Sequence, residues 1–132
     1  MKVFNQCIFD GFVSGSTAVV YSDSQYNAVL GNADQLSIGG YTAQVTGTNP
    51  TLTVQVEQSF DNVRWQNRNT AAEIPSTTAL STTAETNVQG QDGNPTARPT
   101  LAFVRLRIGL GGTGTLAGQV RLWVTGRDRG QG

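Results

Sequence analysis

Glu57, Asp61 and Trp65 mark the place in the chain where two carboxylates stand close together beside an aromatic ring. A carboxylate pair with unequal acidities is a simple route to general acid–base chemistry, which makes this group the first candidate for a catalytic site. It lies in TLTVQVEQSFDNVRW, Thr51 to Trp65, where Leu52, Val54, Val56 and Phe60 share one side of a period-two register. Thr53, Gln55, Glu57 and Ser59 share the other side, as in a strand with one buried face. Glu57 therefore projects outward from a strand while Asp61 occupies the turn that ends it. The expected roles are structural: Asp61 accepts backbone N–H groups in the turn, and Glu57 faces Arg105 or Arg107 across a strand pair. Trp65 is expected to pack into the core rather than to serve a ligand.

The rest of the composition removes most other chemistry. The chain of 132 residues has no histidine, which eliminates Ser-His-Asp and Cys-His catalysis and every His-containing metal site. Cys7 is the sole cysteine, so no intrachain disulfide or thiolate cluster forms, and it reads as a small buried hydrophobe. Gly111-Gly112-Thr113-Gly114 lacks the Lys-Ser/Thr ending of a phosphate-binding loop and sits between strand patterns, so it reads as a hairpin loop. The reading is a protein that is not an enzyme and uses no cofactor and no metal.

Nine basic and nine acidic side chains cancel, which gives no field for nucleic acid or an anionic membrane. No segment approaches about 18 consecutive apolar residues. The opening MKVFNQCIFDGF lacks the apolar run and cleavage pattern of a signal peptide, so synthesis in a cytoplasm is expected. All the remaining basic residues are arginines apart from Lys2, which suits multi-donor contacts at a protein interface as well as solvated strand faces.

Around these residues the chain reads as one all-β domain over 1–132, with a strand or arm at 1–13 and a long polar loop or edge-strand region at 66–100. Val3, Phe4, Ile8 and Phe9 form an apolar opening without helical spacing. Ala18 to Tyr21 is a second short run, and Ala28 to Gly31 a third. Leu36 and Ile38 alternate on one parity and Tyr41, Ala43 and Val45 on the other, so a bulge or corner is expected at Gly39-Gly40. Gly47 to Pro50 is a turn signal, which predicts a hairpin of 35–46 with 51–60. Val104, Leu106, Ile108 and Leu110, then Leu116, Val120, Leu122 and Val124, predict a second hairpin around Gly111 to Gly114. Sixteen glycines, short strands and no convincing helix point to a two-sheet antiparallel β-sandwich, jelly-roll-like, with a closed barrel as the next choice.

Leu52, Val54, Glu57, Ser59, Asp61 and Trp65, followed by Arg105, Arg107 and the glycines 111–114, resemble a pattern found in small β-sandwich or jelly-roll structural proteins of tailed bacteriophages. The resemblance covers about half the chain, and its motifs are structural rather than catalytic. It implies a virion component, made in the host cytoplasm, that works by assembly as a head decoration, minor capsid or tail subunit. Its partners would be capsid or tail proteins and further copies of itself, with a trimer favoured. The expected contact residues are Phe4, Phe9, Gln91, Asp92, Asn94, Arg98, Arg121 and Trp123. A different class of function stays open: a carbohydrate-binding or lectin-like module that stacks sugars on Trp65, Trp123 or Tyr41.

Overall fold

The structure is a computed structural model, and it describes residues 3–15, 19–68, 72–90 and 102–128. Strand β1 spans Val3–Gly15 and β2 Val19–Tyr21; a 3-10 turn, Ser24–Tyr26, leads into the short helix α1, Asn27–Gly31. Strand β3 spans Ala33–Ser59, β4 Gln66–Asn67, β5 Ile74–Ala79, β6 Thr86–Gln89 and β7 Phe103–Asp128. Two of these strands are exceptionally long, and they organise everything else. β3 and β7 pair antiparallel from Ala33 opposite Asp128 to Ser59 opposite Phe103, forming a ribbon whose two halves belong to different layers.

In the first layer the order is β1, the second half of β7, the first half of β3, and β6. In the second it is β2, the first half of β7, the second half of β3, with β4 and β5 along the far edge. The ribbon turns between them at a zone of repeated register shifts from Ala43 to Thr51. Gln44, Gly47 and Asn49 have positive φ on one strand, and Gly112 and Gly114 on the other. At Gly47 a Cβ atom would come within 2.6 Å of Leu116, so the corner needs glycine for space as well as for conformation.

The predicted hairpins are corrected by this pairing. Residues 35–43 pair with 119–127 and residues 51–59 with 103–111, so neither turn signal joins adjacent strands. The two turns instead face each other, with Thr48 opposite Thr113, and together make the corner of the ribbon. Period-two alternation tells which face a residue occupies, not which strand lies alongside it. The parity switch expected at Gly39-Gly40 occurs at Gln44: Leu36, Ile38 and Thr42 are buried before it and Val45 after it.

Both layers contribute to one core. Ile38, Val120, Leu122 and Val124 from the first layer join Leu52, Val54, Val56, Leu106 and Ile108 from the second in a single apolar cluster. The all-β reading stands, with one departure: residues 24–31 form a 3-10 turn and a helical turn. Asp23 starts it by accepting the Gln25 N–H at 3.1 Å, and Gly31 ends it against the Ala102 and Phe103 backbone. Phe60, read as inward by extrapolated parity, is 75 % exposed, because β3 ends at Ser59 and the chain has already turned.

Candidate partner-binding face

The outward face of the first layer is built by a bulge. Between Cys7 and Phe9 the register of β1 against β7 shifts by one residue, so Ile8 goes to the core without a partner in the ladder. From that point side chains change faces: Phe9, opposite Leu122, turns toward the core, while Asp10 and Phe12 turn outward beside Arg121 and Gln119. Two outward rows then cross all four strands in register. Cys7, Trp123, Gly39 and Gln89 form one; Asp10, Arg121, Tyr41 and Asn87 form the other.

Within these rows the Arg121 Nη2 donates to the Asp10 Oδ2 at 2.7 Å. The Tyr41 and Trp123 rings are tilted by 38° with centroids 6.1 Å apart. The Arg121 guanidinium carbon lies 5.9 Å from the Tyr41 centroid and 5.7 Å from that of Trp123. The hydrogen bond from Arg121 holds the Asp10 carboxyl below the usual carboxylate range, and the same bond pushes the arginine pKa up. The pair is thus closed on itself at any moderate pH.

The second layer and the turn that follows β3 carry Glu57, Asp61 and Trp65. The Arg105 Nε donates to the Glu57 Oε1 at 2.7 Å, which decides between Arg105 and Arg107 as the partner. The Arg105 guanidinium is also clasped between two rings, 3.9 Å from the centroid of Tyr21 and 4.2 Å from that of Trp65. Trp65 is half-buried under this arginine, not part of the core as its type suggested. Asp61 Oδ1 accepts the N–H groups of Val63 at 3.0 Å and Arg64 at 2.8 Å, and the Ser59 hydroxyl at 3.0 Å. Those backbone donors, Arg64 first, hold its carboxyl low. Both carboxylates are held in structural contacts, Glu57 by Arg105 and Asp61 by its own turn.

The acid limb of stability follows from these contacts. A carboxyl whose folded pKa is depressed stabilises the fold above its unfolded pKa and loses that contribution as pH falls through the folded one. For Asp61 and Asp10 that window lies below about pH 4. Melting temperature measured across that window is expected to fall less steeply in Asp61→Asn than in the wild type. Parallel curves would mean the turn contacts do not form in solution.

The expected contact residues fall in different places. Arg121 and Trp123 are brought together on the outer face. Phe9 is partly buried against the core, and Phe4 pairs through its backbone with Gly126. Gln91, Asp92, Asn94 and Arg98 lie outside the described residues. Cys7 is half-buried in the outer row rather than fully buried. The sequence reading missed Asp10 and Phe12, whose orientation depends on the bulge, and the exposed pair Phe60 and Val63. Beside the bulge, Cys7, Phe9, Asp10, Tyr21, Asp23 and Tyr26 line a shallow cleft of about 440 Å³. Among the described residues no cluster of three His, Cys, Asp or Glu side chains is placed to hold a metal ion.

Neither a protein-family model nor a curated protein sequence matches the chain. Solved structures do. A chain in the structure of the infectious bursal disease virus Gt strain aligns over 98% of this chain and 32% of its own length, at a TM-score of 0.58 and 16% identity. A chain of the Gx strain aligns over 99% of this chain and 33% of its own, at 0.55 and 19%. This chain therefore spans about one third of the viral chains it resembles. At that identity the likeness concerns the fold, an antiparallel jelly roll of the kind present in a virus structure.

Proposed function

We propose that the protein is a non-enzymatic structural subunit of a virus particle, which self-associates, as a trimer in the favoured case, and binds neighbouring capsid subunits. The observation that carries this reading is the likeness in fold to chains of a virus over nearly the whole length of this one. The assignment to a tailed phage, as a head decoration or minor capsid protein, rests on the sequence pattern of Leu52 to Trp65 and Arg105 to Gly114. The structural likenesses, to a different virus, support the broader reading of a virion subunit, while synthesis in the host cytoplasm rests on the sequence alone.

The physical chemistry agrees with assembly. A chain with no net charge meets its own copies without repulsion. One end of the sandwich carries Phe60 and Val63, each 75 % exposed, on a turn that the Asn27–Asn62 hydrogen bond at 2.9 Å ties to α1 and its exposed Val29. Three apolar side chains gathered at one pole are suited to burial between copies. Asp61 and Arg64 flank them with opposite charges, an arrangement complementary to a second copy of itself.

Light scattering on the purified protein is expected to give an oligomer, and Phe60→Ser with Val63→Ser a smaller species of unchanged circular dichroism. Both side chains are exposed, so their loss does not empty the core. A wild-type monomer at high concentration that also fails to bind capsids or tails would defeat the proposal.

A further inference from the structure

We infer that the outer face of the first layer holds a binding notch for a neutral sugar, centred on Gly39. This goes beyond the assembly role and rests on a separate surface. Gly39 lies directly opposite Trp123 on one side and Gln89 on the other. A Cβ built at Gly39 meets nothing within 4 Å except the Val88 carbonyl oxygen at 3.5 Å. The indole therefore does not lie over Gly39; it stands beside it, 6.1 Å from the Tyr41 ring. The result is an open space over the glycine backbone with the indole beside it, in the neighbouring strand. The backbones of β7 and β6 are two strand spacings apart there, about 9.6 Å, which admits a single sugar ring lying against the indole.

The polar groups around the notch select the ligand. Ser37, Asn87 and Gln89 are exposed and neutral, and offer both donors and acceptors. Among the described side chains on this outer face, the charged pair Asp10 and Arg121 is closed at 2.7 Å. That pair presents no net charge, so it gives no field that would favour an anionic sugar, a nucleotide or a phosphate over a neutral ligand. A pyranose offers what the site lacks: a face of C–H groups for the indole and equatorial hydroxyls for the amides. A second copy of this chain is a poorer fit at this spot, because it is rimmed by amides; of the exposed apolar side chains only Phe12 shares the outer face, in the row beyond Asp10 and Arg121, whereas Phe60, Val63 and Val29 lie at the far end of the other layer.

The test uses an array of galactose-, glucose-, mannose- and fucose-terminated oligosaccharides together with their sialylated forms. The wild-type protein is expected to bind neutral glycans. Trp123→Ala is expected to weaken that binding about tenfold or more, since it removes the stacking wall. Gly39→Val fills the notch while leaving the fold, because the space above Gly39 is open, and is expected to abolish binding with circular dichroism unchanged. Phe60→Ser, remote from the notch, should bind as the wild type does. The inference is overturned if no neutral glycan binds, if binding survives Gly39→Val, or if Gly39→Val alters the oligomeric state instead. The assembly proposal is read by the wild-type oligomeric state and by capsid or tail binding, with no glycan present, so the two fail distinguishably.

Discussion

Gly40→Ala is expected to destabilise the domain severely, although Gly39→Val, one residue away, is expected to leave its stability nearly unchanged. A Cβ at Gly40 would fall inside the contact distance of the Arg121 carbonyl oxygen, with the Arg121 carbonyl carbon at 2.9 Å and the Leu122 Cα at 3.0 Å. All three atoms are backbone, so no rotamer change can make room. β3 would have to part from β7 where Gly40 pairs with Leu122, in the middle of the ribbon that both layers share. Overpacking of this kind costs about 3 kcal/mol and can exceed that where backbone must move, a large part of a small domain's stability. Chemical denaturation followed by circular dichroism measures it. A Gly40→Ala protein with the wild-type midpoint would show that the two strands do not approach so closely.

The second large effect is expected at Arg105. Its guanidinium joins three elements: Glu57 on β3, Tyr21 on β2 and Trp65 in the segment before β4. The Glu57 side chain retains only 13% of its exposure, and the Arg105 side chain 22%. Arg105→Ala leaves a mostly desolvated carboxylate without its partner and uncovers one face of each ring. Breaking such a pair costs about 3 kcal/mol, somewhat less here because some solvent still screens it. The stacked rings add about 1 kcal/mol. The double variant Glu57→Gln with Arg105→Met should recover a good part of the loss, since it removes the stranded charge and keeps an unbranched side chain between the rings. A red-shifted tryptophan emission in Arg105→Ala would report the uncovering of Trp65. If the single and double variants were equally unstable, the ion pair would not be the source of the effect.

The acid sensitivity expected from Asp61 is smaller and differs in kind. It concerns a turn, held by two backbone N–H groups and a hydroxyl, at the end of the long strand. The capping role of Asp61 was legible beforehand because aspartate accepts hydrogen bonds from the backbone two and three residues ahead, whatever the surrounding fold. The pairing of Glu57 was half legible. Alternation put Glu57 and two arginines on outward faces, but the choice of Arg105 over Arg107 required the register of β3 against β7.

The contact face was less accessible. Trp123 and Arg121 follow from unbroken alternation in β7, and their outward orientation needs no neighbour to decide it. Asp10, Phe12 and Phe9 depend on the bulge at Cys7 to Phe9, where a single extra residue exchanges the faces. Nothing in VFNQCIFDGFV announces where that residue falls, because Cys7, Ile8 and Phe9 are all apolar enough for either side. Phe60 failed for a related reason. Its parity was right, but parity has no meaning once the strand has ended at Ser59.

The sequence by itself determined the class of the fold, most of its inward residues and the lack of any histidine chemistry. Those properties are local: a period of two, glycine and asparagine at turns, and no histidine anywhere. Only the tertiary structure decided that two apparent hairpins are one bent ribbon. Strand partners are chosen by the burial of Leu52, Leu106, Ile38 and Leu122 in a common core, an energy summed across the chain and not carried by any turn. The Glu57, Asp61 and Trp65 group, legible as a set, became three structural contacts through that same register. Gly39 acquired its meaning there too, since an open space beside Trp123 exists only when β3, β6 and β7 lie side by side.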